Sequence, residues 1–121
     1  MKKKLILAVD CDGTLWHKDV KYPACGTPKF DIIEQVKLFK KKGAKIILWT
    51  CRSPNDLEPV IEFCKKYKIK YECINSNCEF YHKSFAYRKI FAHYYIDDQN
   101  LSLDDFKTLN VERFINEHQK R

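Results

Sequence analysis

The segment Leu5 to Thr14, LILAVDCDGT, constrains this 121-residue chain more than any other. Five apolar residues (Leu5, Ile6, Leu7, Ala8, Val9) run without a break into two acids, Asp10 and Asp12, followed by Gly13 and Thr14. An unbroken apolar run of strand length predicts a β-strand buried on both faces, the environment of a parallel sheet covered by helices. Gly13 permits a sharp turn where the chain leaves the sheet. Asp10 then falls at the carboxyl edge of a central strand, where open α/β sheets hold their ligands. The turn interrupts strand alternation, so both acids can face one small site. A strand running into an ordinary Asp-Gly turn would read the same over these residues alone, and the rest of the chain decides between the two.

Leu15 to Lys29 is polar and turn-rich and reads as a loop or small flap, in which Trp16, His17 and Tyr22 either shape an entrance or pack the loop onto the body. Pro28 to Lys42 predicts a helix, with Thr27 at its start, Gly43 at its end, and Ile32, Ile33, Val36 and Phe39 on its buried face. Ala44 to Trp49 predicts a second buried strand that closes on Thr50-Cys51-Arg52. Ser53 and Pro54 predict an N-cap and first position of a helix running to about Tyr67. Tyr71 to Asn75 is a third strand and Ala92 to Ile96 a fourth, ending in Asp97-Asp98. Asn75 to Arg88 has no clear periodicity. Leu103 to about His118 is a final helical segment, with Ser102 as a cap and Asn110 as an interruption. Alternating strands and helices predict an α/β fold: one three-layer, Rossmann-like domain over residues 1–121 with a mainly parallel sheet. Three strand ends then deliver polar groups to one edge: Asp10 with Asp12, Thr50, and Asp97 with Asp98.

Composition narrows the partners. The net charge of +7 favours anionic ones: phosphorylated metabolites, nucleic acid or an acidic surface. Many of the lysines fall on helix faces, where they read as solvated charge, so the signal for nucleic acid is weak. The apolar run after MKKK is too short for a signal-peptide core or a membrane span, and a cytoplasmic location without membrane contact is expected. Six cysteines then read as reduced thiols. Cys73, Cys78 and His82 form C-x4-C-x3-H, which hints at structural zinc with Cys25 or His17 as a fourth ligand, but the spacing is not that of a standard finger.

Carboxylates gathered at one edge repel one another unless a cation sits among them. Oxygen donors select a hard divalent ion, and Mg²⁺ suits one or two carboxylates plus substrate phosphate. An aspartate can attack phosphorus to form an aspartyl phosphate. A second carboxyl group two residues on can protonate the leaving oxygen and then deprotonate the resolving water. Charge on the phosphoryl oxygens calls for a metal, a lysine, a hydroxyl such as Thr50, and backbone N–H groups.

In these residues the chain resembles the haloacid dehalogenase-like (HAD) phosphohydrolases over nearly its whole length. The DxDGT motif of that family is matched by Asp10-Cys11-Asp12-Gly13-Thr14, the strand-terminal Ser or Thr by Thr50 in ILWT, and the late acidic pair by Asp97 and Asp98 in YYIDD. The resemblance implies Asp10 as nucleophile and metal ligand, and Asp12 as general acid/base with its backbone carbonyl on the metal. It implies Thr50, Cys51, Arg52 and Lys89 as the phosphate-binding set, with Lys83 as the alternative lysine. Asp97 is implied as a direct metal ligand, with Asp98 beside it or behind it. Neither gap in which the family inserts a cap is long enough here for a separate domain, so an open site and a bulky phosphorylated substrate are expected, or cover from a second subunit or a short loop. The presence of Asp12 argues against haloacid and phosphonate chemistry. Two other readings stay open: a weakly catalytic phosphate-binding or regulatory module, and a nucleic-acid end phosphatase.

Overall fold

In the computed structural model the described residues are 4–76, 90, 92–98 and 103–120. They form a four-stranded, all-parallel sheet in the order β3-β2-β1-β4, with β1 at Ile6–Asp10, β2 at Lys45–Trp49, β3 at Cys73–Ile74 and β4 at Tyr94–Ile96. Four helices accompany it: α1 at Phe30–Lys41, α2 at Glu58–Tyr67, α3 at Leu103–Thr108 and α4 at Val111–Gln119.

The apolar runs of β1 and β2 are buried on both faces, as a central parallel strand requires. Leu5, Leu7 and Val9 of the leading segment and Ile46 and Leu48 of β2 pack with Ile32, Ile33, Val36 and Phe39 of α1, Phe63 of α2, and Phe106 and Ile115 of α3 and α4. The intervening residues Ile6, Ala8 and Ile47 join Ile90 and Ala92 in a second cluster. The architecture is therefore α/β, a three-layer Rossmann-like arrangement. No helix among the described residues is long and apolar enough to cross a membrane.

The register sets the site. β1 pairs Asp10 with Trp49 of β2 on one side and Val9 with Ile96 of β4 on the other. Asp10 and Asp97 are thereby next-door strand ends, and Thr50 lies one residue beyond the partner of Asp10.

Several boundaries differ from the sequence expectation. Helix α1 begins at Phe30, not at Pro28, and its N-cap Lys29 makes no side-chain capping bond. Residues 27–29 are instead drawn into pairing with the preceding loop: His17 N–H donates to the Thr27 carbonyl (2.8 Å), Lys29 N–H to that of Leu15 (2.9 Å), and Trp16 bridges Pro28. The Thr27 hydroxyl donates to Asp19 Oδ2 at 2.6 Å, not to a helix terminus. Ser53 and Pro54 open a single 3-10 turn, Pro54–Asp56, before α2. β3 and β4 are shorter than read. Asn110 does interrupt the last segment, capping α4 by accepting from Arg113 N–H at 2.9 Å. Ser102, Cys78, His82, Lys83 and Lys89 lie outside the described residues.

Free thiols are present at Cys11, Cys25, Cys51 and Cys64, but Cys73 is disulfide-bonded. That corrects the expectation of reduced cysteines at this position. It also removes Cys73 from the suggested zinc set, because zinc takes the thiolate.

Candidate active site

The strand β1 ends in a turn that folds back on itself. Thr14 and Leu15 N–H groups both donate to the Cys11 carbonyl, and Gly13 N–H donates to that of Trp16. Gly13 has φ +89°, and a Cβ there would lie 2.3 Å from Asp98 Oδ2. Glycine at this position both allows the left-handed backbone and leaves room for the second acidic strand end.

Thr14 is fully buried and ties the two ends together. Its hydroxyl donates to Asp10 Oδ2 at 3.0 Å and accepts from the backbone N–H of Asp98 at 2.9 Å. The carboxylates of Asp10, Asp97 and Asp98 each offer an oxygen, and these atoms lie within 4.8 Å of one another. The donor set is all oxygen and triply acidic, which fits a hard divalent cation and not a soft one. Burial, then Asp97 and Asp98, push the Asp10 carboxyl from 3.8 up to about 7, against the lowering effect of Thr14. Such crowding is what a cation at this point relieves.

The Asp12 carboxylate stands outside this group. Arg52 reaches it from the β2 loop with two nearly parallel bonds, Nε to Oδ2 at 2.8 Å and Nη2 to Oδ1 at 2.7 Å. Trp16 Nε1 adds a third at 3.2 Å. Burial acts to raise the Asp12 pKa, but the Arg52 hydrogen bonds and charge outweigh it, and the net shift is downward. The Arg52 side chain is only 1% exposed, and its Nη1 donates to the carbonyls of Pro23 (2.6 Å) and Asp56 (2.9 Å). Arg52 was expected among the phosphate binders. Its guanidinium is instead spent inward, because a bidentate fork on a carboxylate is the strongest partner within its reach.

Thr50 is buried at the end of β2. Its backbone is clamped by Asn75, which accepts from Thr50 N–H at 2.8 Å and donates to the Thr50 carbonyl at 2.7 Å. The Thr50 hydroxyl accepts from Arg52 N–H at 3.1 Å, shaping the turn. Cys51 is exposed beside it. Two lysines of the first loop approach the site: Lys18 Nζ is 4.0 Å from Asp98 Oδ2, and Lys29 Nζ donates to the Gly13 carbonyl at 2.6 Å. Neither stands out in the sequence, since only the fold-back of the loop brings them to the edge. The bridging role of Thr14 was equally hidden inside a motif legible for its acids.

Beside Asp12 opens a hollow of about 360 Å³, walled by Trp16, Lys18, Tyr22, Cys51 and Arg52. Residues of the first loop thus form one wall of this hollow, while Trp16 is itself buried in the core.

A solved structure of a conserved protein from Bacteroides thetaiotaomicron is similar to this chain, with a TM-score of 0.70 and 30% identity over 82% of this chain and 79% of that one. A crystal structure of a target protein from Vibrio cholerae matches with a TM-score of 0.58 and 23% identity, over 98% and 97% of the two chains. A chain of the Pnkp1/Rnl/Hen1 RNA repair complex matches with a TM-score of 0.60 and 22% identity, over 93% of this chain but 39% of that one. The last two likenesses concern the fold alone. No family model and no curated protein matches the chain.

Proposed function

We propose that this chain, which belongs to the same family as the conserved Bacteroides thetaiotaomicron protein, is a Mg²⁺-dependent phosphomonoester hydrolase of the haloacid dehalogenase-like type. The observation that carries the reading is the convergence of Asp10, Asp97 and Asp98 within 4.8 Å, with Asp12 held apart by Arg52. Two acids one residue apart are given different electrostatic settings: without a metal the Asp10 carboxyl is pushed up and that of Asp12 held down, and a cation beside Asp10 would favour its ionised, attacking form.

Asp10, Asp97 and Asp98 would hold the cation. When bound, Mg²⁺ supplies positive charge against both the carboxylates and the phosphoryl oxygens. Asp10, with Oδ2 fixed by Thr14, attacks phosphorus through its carboxylate; the ester P–O bond breaks and its electron pair stays on the leaving oxygen, which takes a proton from Asp12. The arriving phosphate dianion opposes the negative charge on Asp12 and draws that proton onto it beforehand. In the second half Asp12, ionised again beside Arg52, takes a proton from water. The water oxygen attacks phosphorus, and the bond to Asp10 breaks, returning its carboxylate. Thr50, with Lys18 or Lys89, contributes to neutralising the transferred group. The substrate is a phosphorylated compound whose own bulk covers an uncapped site.

The test is phosphate release from a generic aryl phosphate. Release should require added Mg²⁺ and fall by at least about a thousandfold in Asp10→Asn, because the covalent path is removed. Phosphate bound without release would favour a sensing module instead, and equal release by the variant would overturn the reading.

A further inference from the structure

We propose that the hollow beside Asp12 receives the leaving group, and that Tyr22 is a platform on which a planar aromatic ring of that group stacks. The inference rests on the phosphohydrolase reading and names its substrate class: phosphomonoesters whose alcohol carries a flat heteroaromatic ring, as nucleotides do. Asp12 gives its proton to the leaving oxygen, so the leaving group must lie on the Asp12 side of the phosphorus, away from Asp97 and Asp98. The hollow of about 360 Å³ includes Asp12 in its lining and lies on that side. Its size is at the small end of ligand pockets, which begin at about 300 Å³.

Tyr22 is the wall that needs explaining. It is 54% exposed, yet its ring is held at two points. Its hydroxyl donates to Asp56 Oδ2 at 2.7 Å, and the Arg52 guanidinium lies 4.8 Å from the ring centroid. Arg52 is in turn forked onto Asp12 and also lies 5.6 Å from the Trp16 ring. The platform and the acid are therefore joined through one rigid cation. Had Tyr22 served only to pack the loop onto the body, its ring would be covered. An aromatic face held still in solvent has its ordering cost already met before a ring arrives. Half-exposed Val20 extends the apolar rim, and Lys18 stands between the hollow and Asp98, where it meets the phosphoryl group.

The test compares a nucleoside 5′-monophosphate with ribose 5-phosphate, in which the breaking bond is the same primary 5′ ester and a hydroxyl replaces the base. Stacking on one aromatic side chain is worth about fivefold to about 150-fold. The expected result is a kcat/KM ratio in that range for the wild type, arising in KM, that collapses towards one in Tyr22→Leu and survives in Tyr22→Trp. Equal kcat/KM for the two substrates in the wild type, or a ratio untouched by Tyr22→Leu, would overturn the platform. If neither compound releases phosphate, titrating the same pair into the protein with Mg²⁺ still decides. Tighter nucleotide binding that is lost in Tyr22→Leu supports the platform and places the failure on the hydrolase reading, whereas equal binding overturns the platform itself.

Discussion

Burial and the neighbouring Asp97 carry the Asp10 carboxyl from 3.8 to about 7, so the metal-free fold holds a proton there that the unfolded chain gives up. The consequence for stability has a definite sign. The native state binds the proton more tightly, so the Asp10 contribution is complete below about pH 4 and is lost as pH rises to about 7. Asp10→Asn, which cannot ionise, should therefore melt above the metal-free wild type at pH near 7 and level with it at pH near 4. Mg²⁺ should raise the wild-type melting temperature at neutral pH and leave the variant nearly unmoved. Identical melting curves at neutral pH would mean that the three carboxylates are not crowded in solution. Asp10, Asp97 and Asp98 were legible in the sequence because each terminates an apolar run. The partner of Asp12 was not: Arg52 is 40 positions away, and a basic residue after a strand reads equally as a phosphate binder until its fork is seen on a carboxylate.

At the scale of elements, the apolar runs were strong enough to set β1 and β2, because burial on both faces leaves no polar alternation to misread. The ends of the elements were harder. Thr27 and Pro28 look like a helix start, but long-range pairing with residues 15–17 outweighs that local preference and delays α1 to Phe30. The helical layer is fastened by a residue that periodicity alone would not single out. Gln35 of α1 is buried, and its Nε2 donates to the carbonyls of Phe106 (3.2 Å) and Leu109 (2.8 Å). Gln35→Met, similar in size, leaves both carbonyls without that donor. It should cost about 1–3 kcal/mol in denaturant unfolding. Because Gln35 belongs neither to the carboxylate cluster nor to the lining of the hollow beside Asp12, KM for the aryl phosphate should not change. A variant as stable as the wild type would show that these bonds do not join the layers.

Across the described residues, one cluster of positive charge lies apart from the acidic strand ends. Lys37, Lys40, Lys41, Lys68 and Lys70 surround one hollow with Glu34. They sit late in α1 and between α2 and β3, towards the edge where strands begin, while the acids and Thr50 crowd the edge where strands end. Among the described residues this lysine cluster therefore lies apart from the acidic one, near which Lys18 and Lys29 are found. The central claim is that Asp10 carries the phosphoryl group. An aryl phosphate with a stable phenolate forms the intermediate without help from Asp12, whereas its breakdown still needs that base, so the intermediate accumulates. Turnover is quenched in acid, acyl phosphate is reduced with borohydride, and the peptide containing residue 10 is weighed. The predicted result is homoserine at position 10, dependent on both substrate and Mg²⁺. Steady phosphate release with residue 10 recovered as aspartate at every quench time, or homoserine at a different acid, would contradict it.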